Sequence, residues 1–123
     1  MILFAEKLKA ISEVARGARP ASLLLKGGRV VNLFTREVRD AAVAVEGSTI
    51  AGVEAGYSKG REVIDLAGGL IIPGLIDAHI HLESTLLLPA HFAAVALPHG
   101  TTAVIADPHE IANVLGEAGI TFM

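Results

Sequence analysis

Pro73-Gly74-Leu75-Ile76-Asp77-Ala78-His79-Ile80-His81-Leu82-Glu83 sets Asp77, His79, His81 and Glu83 at alternate positions, with Ile76, Ala78, Ile80 and Leu82 between and beside them. In an extended strand successive side chains point to opposite faces, so the four polar groups share one face. Two imidazoles at i and i+2 then sit close enough to grip one cation. A pair at the C-terminal end of a parallel strand lies on the rim where α/β barrels carry their chemistry. The competing reading is a pair of structural histidines satisfied at a strand end. The Pro-Gly turn marks the break before this strand, and Asp77 lies one layer below the imidazoles.

Downstream, the strand Leu75–His81 leads into a loop, Leu82–Leu88, and then a helix over Pro89–Leu97, with Pro89 acceptable in its first turn. His99-Gly100 reads as the helix C-cap region. Thr101–Ala106 is a second, β-branched strand ended by Asp107-Pro108, and residues 109–116 form a short helix closed by Gly116. Gly119–Met123 starts another strand or loop. The order βαβα is the grammar of a parallel sheet.

If the two strands are parallel neighbours, Asp107, His109 and Glu110 reach the same rim as His79 and His81. A capping arrangement, with Asp107 at the helix start and Glu110 reaching back, accounts for two of these residues and leaves His109 without a role. His109 is therefore placed in a pocket, with mixed roles for Asp107 and Glu110. Asp77 either orients an imidazole or satisfies backbone donors, the second being preferred. Glu83 and Ser84, just past the strand, cap or contact a ligand. His91 and His99 are read as structural.

Upstream, residues 1–18 read as a docking helix with Phe4, Leu8, Ile11 and Ala15 at helical spacing, ended by Gly17 and Pro20. From Ala21 the pattern changes to short strands: Ala21–Lys26, turned by Gly27-Gly28, then Arg29–Phe34, Val38–Val45, Thr49–Glu54 after a Gly47-Ser48 hairpin turn, and Glu62–Leu66. Five such strands suggest a small β-sandwich or half of one. Lys26, Asn32, Arg36 and Asp40 are turn and surface residues.

Aliphatic residues dominate the composition. Hydrophobic residues make up 52%, aromatics only 4%, and charged residues 19%. This is the make-up of buried strands and covering helices, not of a disordered chain. The net charge of −3 is scattered, so no basic face invites nucleic acid or anionic lipid. With no cysteine, disulfides and cysteine-held zinc are excluded, which fits a reducing cytoplasm. No stretch reaches the roughly 18 uninterrupted apolar residues of a membrane span.

PGLIDAHIHLEST (73–85) resembles the first barrel strand of the amidohydrolase superfamily, and LPHGTTAVIADPHEIANVLG (97–116) resembles its bacterial and archaeal adenine-deaminase branch. The resemblance runs from Ala21 to nearly the end of the chain. It implies the start of a metal-dependent (β/α)8 barrel over 73–123, truncated at Met123. A β-sandwich portion over 21–72 and a helix over 1–20 would precede it. It further implies His79 and His81 as metal ligands, and a divalent metal, manganese or iron, binuclear in the complete enzyme. Asp107, His109 and Glu110 would serve catalysis, and Glu83 and Ser84 substrate binding. The implied reaction is hydrolytic conversion of adenine to hypoxanthine with release of ammonia, in purine salvage, by a homo-oligomeric cytoplasmic enzyme. The chain alone is expected to be inactive. A cyclic amidase of the dihydroorotase or hydantoinase type, and a non-catalytic interaction module on the same fold, are the competing readings. The cysteine-zinc deaminase pattern is absent, which disfavours action on nucleic-acid bases.

Overall fold

A computed structural model describes residues 2–123, with side chains from Phe4 onward. Met1, included in the expected helix, lies outside the described residues. The chain divides into two compact units, Met1–Ile72 and Pro73–Met123.

The first unit begins with helix α1 (Ile2–Ala15). A helix this short is marginal alone and needs packing to persist. Its anchor is Val14, 1% exposed, whereas Phe4 and Leu8 of the expected apolar stripe are 66% and 51% exposed. Docking is therefore concentrated in the last turn. There the Tyr57 hydroxyl donates to the Ala15 carbonyl at 2.7 Å, satisfying one of the acceptors that every helix end leaves open.

Five strands follow: β1 (Ala21–Asn32), β2 (Glu37–Glu46), β3 (Thr49–Glu54), β4 (Gly60–Asp65) and β5 (Leu70–Ile71). They form one sheet in the order β3-β2-β1-β4, with β5 beside the second half of β1. β2 runs antiparallel to both β1 and β3, while β4 and β5 run parallel to β1. The sequence suggested two strands separated by a Gly27-Gly28 turn, within a small β-sandwich or half of one. The glycines instead make a bulge inside one long strand, where the register with β2 shifts between Leu25 and Gly28. Gly27 takes φ +67, a conformation that side chains beyond hydrogen disfavour. The five strands make a single layer, with α1 packed on β2 and β3.

The core of this unit is small and aliphatic. Leu24, Val14, Ala21, Ala42 and Ala44 are buried, with Ala51 and Tyr57 packed against them. At its margin Glu46 accepts hydrogen bonds from Arg19 at 3.2 Å, Arg61 at 3.4 Å and the Ser22 N–H at 3.0 Å. Both arginines are more than a third exposed, so each ion pair contributes only about 0–1 kcal/mol. Lys26, Asn32 and Arg36 lie at turns or on the surface: Asn32 Oδ1 accepts the N–H groups of Phe34 and Thr35, and Lys26 lies 3.9 Å from Asp65.

The second unit contains β6 (Leu75–Ile80), a 3-10 turn at Glu83–Thr85, α2 (Pro89–Ala96), a 3-10 turn at Leu97–His99, β7 (Thr101–Ala106), α3 (His109–Leu115) and α4 (Glu117–Phe122). β6 and β7 are parallel, pairing Leu75 with Thr101, Asp77 with Val104 and Ile80 with Ala106. The order is thus α/β, and both strands end on one rim. A Cβ at Gly74 would collide with the Thr102 side chain, so the approach of the two strand starts requires glycine there. Residues 119–123, expected as strand or loop, instead lie mostly in α4. Leu82 is buried, at 5% exposure, while Ile76, Ile105 and Val114 are 65%, 60% and 77% exposed. The two-stranded sheet leaves much of its aliphatic surface uncovered.

Candidate metal centre

His79 is the last residue but one of β6 and His81 lies just past its end, their parity along the strand bringing both rings to one face. Their Nε2 atoms stand 3.1 Å apart, with the ring planes at 87° and the centroids 4.8 Å apart. His81 Nδ1 lies 2.8 Å from the main-chain oxygen of Asp107. A carbonyl can only accept, so Nδ1 carries the proton and the Nε2 of a neutral His81 presents its lone pair. Two facing imidazole nitrogens at 3.1 Å need either a shared proton or a cation between them.

The spacing suits a cation. Metal–imidazole bonds of about 2.0–2.1 Å place adjacent nitrogens roughly 2.9–3.0 Å apart in an octahedral arrangement and about 3.3–3.4 Å apart in a tetrahedral one. The observed separation falls between these. The Asp107 carboxylate supplies a third group, with His79, His81 and Asp107 ligand atoms within 4.8 Å of one another. His81, His109 and Glu110 form a second such group, also within 4.8 Å, and the two groups share His81. No cysteine is available, so the donors are imidazole and carboxylate, a set that suits zinc, manganese or iron rather than thiolate-seeking metals.

α3 brings the rest of the rim together. His109 Nδ1 lies 3.3 Å from Asp107 Oδ1, and its ring meets His81 edge-on, with centroids 4.8 Å apart. The Ser84 hydroxyl donates to the Glu110 carboxylate, 2.9 and 3.0 Å from its two oxygens. Glu83 Oε1 accepts the backbone N–H groups of Glu110 and Ile111 at 3.0 and 3.2 Å. Asp107 does not cap α3 and Glu110 does not reach back: the N-cap is Pro108, with no side-chain capping bond. Glu83, in the 3-10 turn that follows β6, takes that place.

Hydrogen bonds from its own backbone N–H and from those of Ile111 and Glu110, together with the nearby His81, outweigh desolvation and hold the Glu83 carboxyl below its ordinary pKa. Its Oε2 is buried without a hydrogen-bond partner among the described residues. The rim therefore holds more acceptor capacity than the protein's own donors use. Asp77 Oδ1 accepts the His79 N–H at 3.1 Å, which satisfies a backbone donor and steadies the strand end. His91 on α2 and His99 in its 3-10 turn fall outside both clusters.

One contact at this rim had no signal in the sequence: the Asp107 carbonyl is a backbone group that any residue carries. A capping role was among those expected for Glu83, but the helix it caps lies 27 residues on, which no local pattern specifies.

Residues 70–123 match the amidohydrolase family. The chain is 54% identical over 113 residues to an adenine deaminase of Kosmotoga olearia, covering 92% of this chain and 19% of that protein. It is 46% identical over 121 residues to an adenine deaminase of Listeria welshimeri, covering 96% of this chain and 21% of that protein. The chain thus spans about a fifth of the length of the curated relatives it matches. Among solved structures it is similar to a D-aminoacylase described with a binuclear metal centre, at 34% identity and a TM-score of 0.60. That match covers 71% of this chain and 18% of the other.

Proposed function

We propose, for a chain whose residues 70–123 match the amidohydrolase family, that it forms the metal-bearing start of an adenine deaminase, an enzyme converting adenine to hypoxanthine and ammonia. The observation that carries this reading is the convergence of the His79 and His81 Nε2 atoms at 3.1 Å beside Asp107, in a chain about half identical to adenine deaminases.

In this reading residues 73–123 are the first units of a (β/α)8 barrel, and 21–72 supply one layer of a β-sandwich domain behind the helix of 1–20. The uncovered aliphatic faces of β6 and β7 suit further strands and helices of such a barrel. His79 and His81 would hold a divalent cation, manganese or iron, as part of a binuclear centre. When bound, a divalent cation supplies a water whose pKa is lowered towards ~7. Two imidazoles fall short of the three protein ligands usual at a catalytic site, so further ligands would come from later strands.

The chain's own residues do the rest. His81 is locked as the Nδ1–H tautomer by the Asp107 carbonyl, which leaves Nε2 free to bind. Asp107 Oδ1 faces His109 Nδ1, leaving His109 Nε2 to take or give a proton at the purine amino group. Glu110, fixed by Ser84, is the second proton-handling candidate. Purine salvage in the cytoplasm, by a homo-oligomer that acts on the free base, completes the reading. Among the described residues no helix is long and apolar enough to cross a membrane.

The test is a graft. This chain replaces the matching stretch of the Kosmotoga olearia relative, and the metal-loaded product is assayed on adenine and on hydantoin. Hypoxanthine formation that disappears with His79→Ala supports the reading. A folded graft that opens hydantoin and leaves adenine untouched would transfer the chain to the cyclic amidases.

A further inference from the structure

Glu83 and Ser84 leave β6 next to the histidine pair, yet both side chains turn onto the first turn of α3. Glu83 Oε1 accepts the N–H groups of Glu110 and Ile111, and the Ser84 hydroxyl donates to the Glu110 carboxylate. The first-turn N–H groups of a helix have no partners inside it, and Pro108 at the N-cap provides no side-chain acceptor. At seven residues, α3 is also too short to hold itself. On the other side of the same segment, Asp107 donates its N–H to Ile80 at 2.9 Å and accepts from His81 Nδ1. Residues 107–110 are thus tied at both ends to the segment that carries His79 and His81.

We propose that Glu83 and Ser84 are positioning residues: they hold the start of α3 so that His109 and Glu110 face His81, and they act on the metal centre through those groups. The inference rests on the metal-centre reading above. Neither side chain needs to touch purine or cation for this role. Glu83 fixes the helix backbone and Ser84 fixes the Glu110 side chain. The two contributions are therefore separable: removal of the Glu83 acceptor frees the whole turn, while removal of the Ser84 hydroxyl frees one carboxylate. Groups that orient metal-binding side chains in this way commonly alter metal affinity about 10–100-fold when lost.

The experiment uses the 123-residue chain and its Glu83→Ala, Glu83→Gln and Ser84→Ala variants. Three readouts are followed: hydrogen exchange at the Glu110 and Ile111 amides, the Kd for Co2+, and thermal melting. Glu83→Ala should expose both amides and weaken Co2+ binding about tenfold. Glu83→Gln, which keeps a carbonyl oxygen, should restore most of both. Ser84→Ala should leave the amides protected and still weaken Co2+ binding several-fold. An unchanged Co2+ affinity in Glu83→Ala, whatever the amides do, would reduce the pair to helix stabilisation and overturn the proposal. So would equal losses in the Ala and Gln variants. A parent chain that binds no Co2+ would remove the metal reading and this inference together, whereas a binding parent with indifferent variants removes the inference alone.

Discussion

His81 donates from Nδ1 to the main-chain oxygen of Asp107 at 2.8 Å, joining the end of β6 to the end of β7. Because the acceptor is backbone, the side chain at 107 is free for other work while the tautomer of His81 stays fixed. A parallel pair of strands makes this possible: both chains reach the rim in the same direction, and residue 107 follows directly on the paired Ala106.

The two functions of Asp107 can therefore be separated. Asp107→Asn keeps the carbonyl and should leave the His81 Nδ1–H resonance in place. It removes the carboxylate that lies within 4.8 Å of the imidazole nitrogens, and Co2+ binding should weaken roughly tenfold. Nitrogen-15 spectra of the histidine side chains, read beside a Co2+ titration, check both halves. Loss of the Nδ1–H signal would mean that the side chain, and not the backbone, sets the tautomer.

His109→Asn should act on chemistry rather than on folding. The ring is 57% exposed, so its removal disturbs little packing, and melting should move by no more than about 1 kcal/mol in stability. Turnover of adenine in the grafted enzyme should fall about 10²–10⁴-fold, as for loss of a general acid–base. A variant that melts early yet turns over normally in its folded fraction would make the residue structural.

Protonation of Glu83 gives a pH dependence with a definite sign. Its carboxyl is held below the ordinary value of 4.5 in the folded protein. A depressed acid stabilises the fold above its unfolded pKa, and that stabilisation is lost as pH falls through the folded value. Protection of the Glu110 and Ile111 amides, corrected for intrinsic exchange, should therefore hold steady down to 4.5 and decline only below it. In Glu83→Gln this decline should be absent. The same decline in both proteins would assign it to another group.

Stability in the first unit should depend on a few aliphatic side chains. Leu24 is fully buried, and Leu24→Ala should cost about 2–5 kcal/mol. Phe34, at the β1–β2 turn, is 99% exposed, and Phe34→Ser should stay within about 0.5 kcal/mol of the parent. Denaturant midpoints measured side by side decide this, and a large loss on Phe34→Ser would show that its ring is covered in solution.

Strong local periodicity made part of this fold legible. The alternation from Leu75 to His81, the β-branched run Thr101–Ala106 and the Gly47-Ser48 turn each correspond to an element where the pattern placed it. Gly27-Gly28 misled because a glycine pair serves turns and bulges alike. Pairing to β2, β4 and β5, which no local pattern records, keeps the strand running through it. The last residues misled in a similar way: Gly119 suggested a break, whereas it is buried against Ile111 inside a helix. At the rim, the sequence marked His79, His81, Asp107, His109 and Glu110, which the fold brings together. It could not say that Glu83 and Ser84 are spent on α3, because that depends on two strands lying side by side.

In the proposed reading, His79 and His81 bind one divalent cation through Nε2. Its most direct test is a Co2+ titration of the purified chain, followed through the imidazole resonances of all five histidines. The Nε2 signals of His79 and His81 should respond together with one-to-one stoichiometry, and His79→Ala and His81→Ala should each abolish the response. His91→Ala should leave it intact. Equal Co2+ binding by the parent, His79→Ala and His81→Ala chains would contradict the claim.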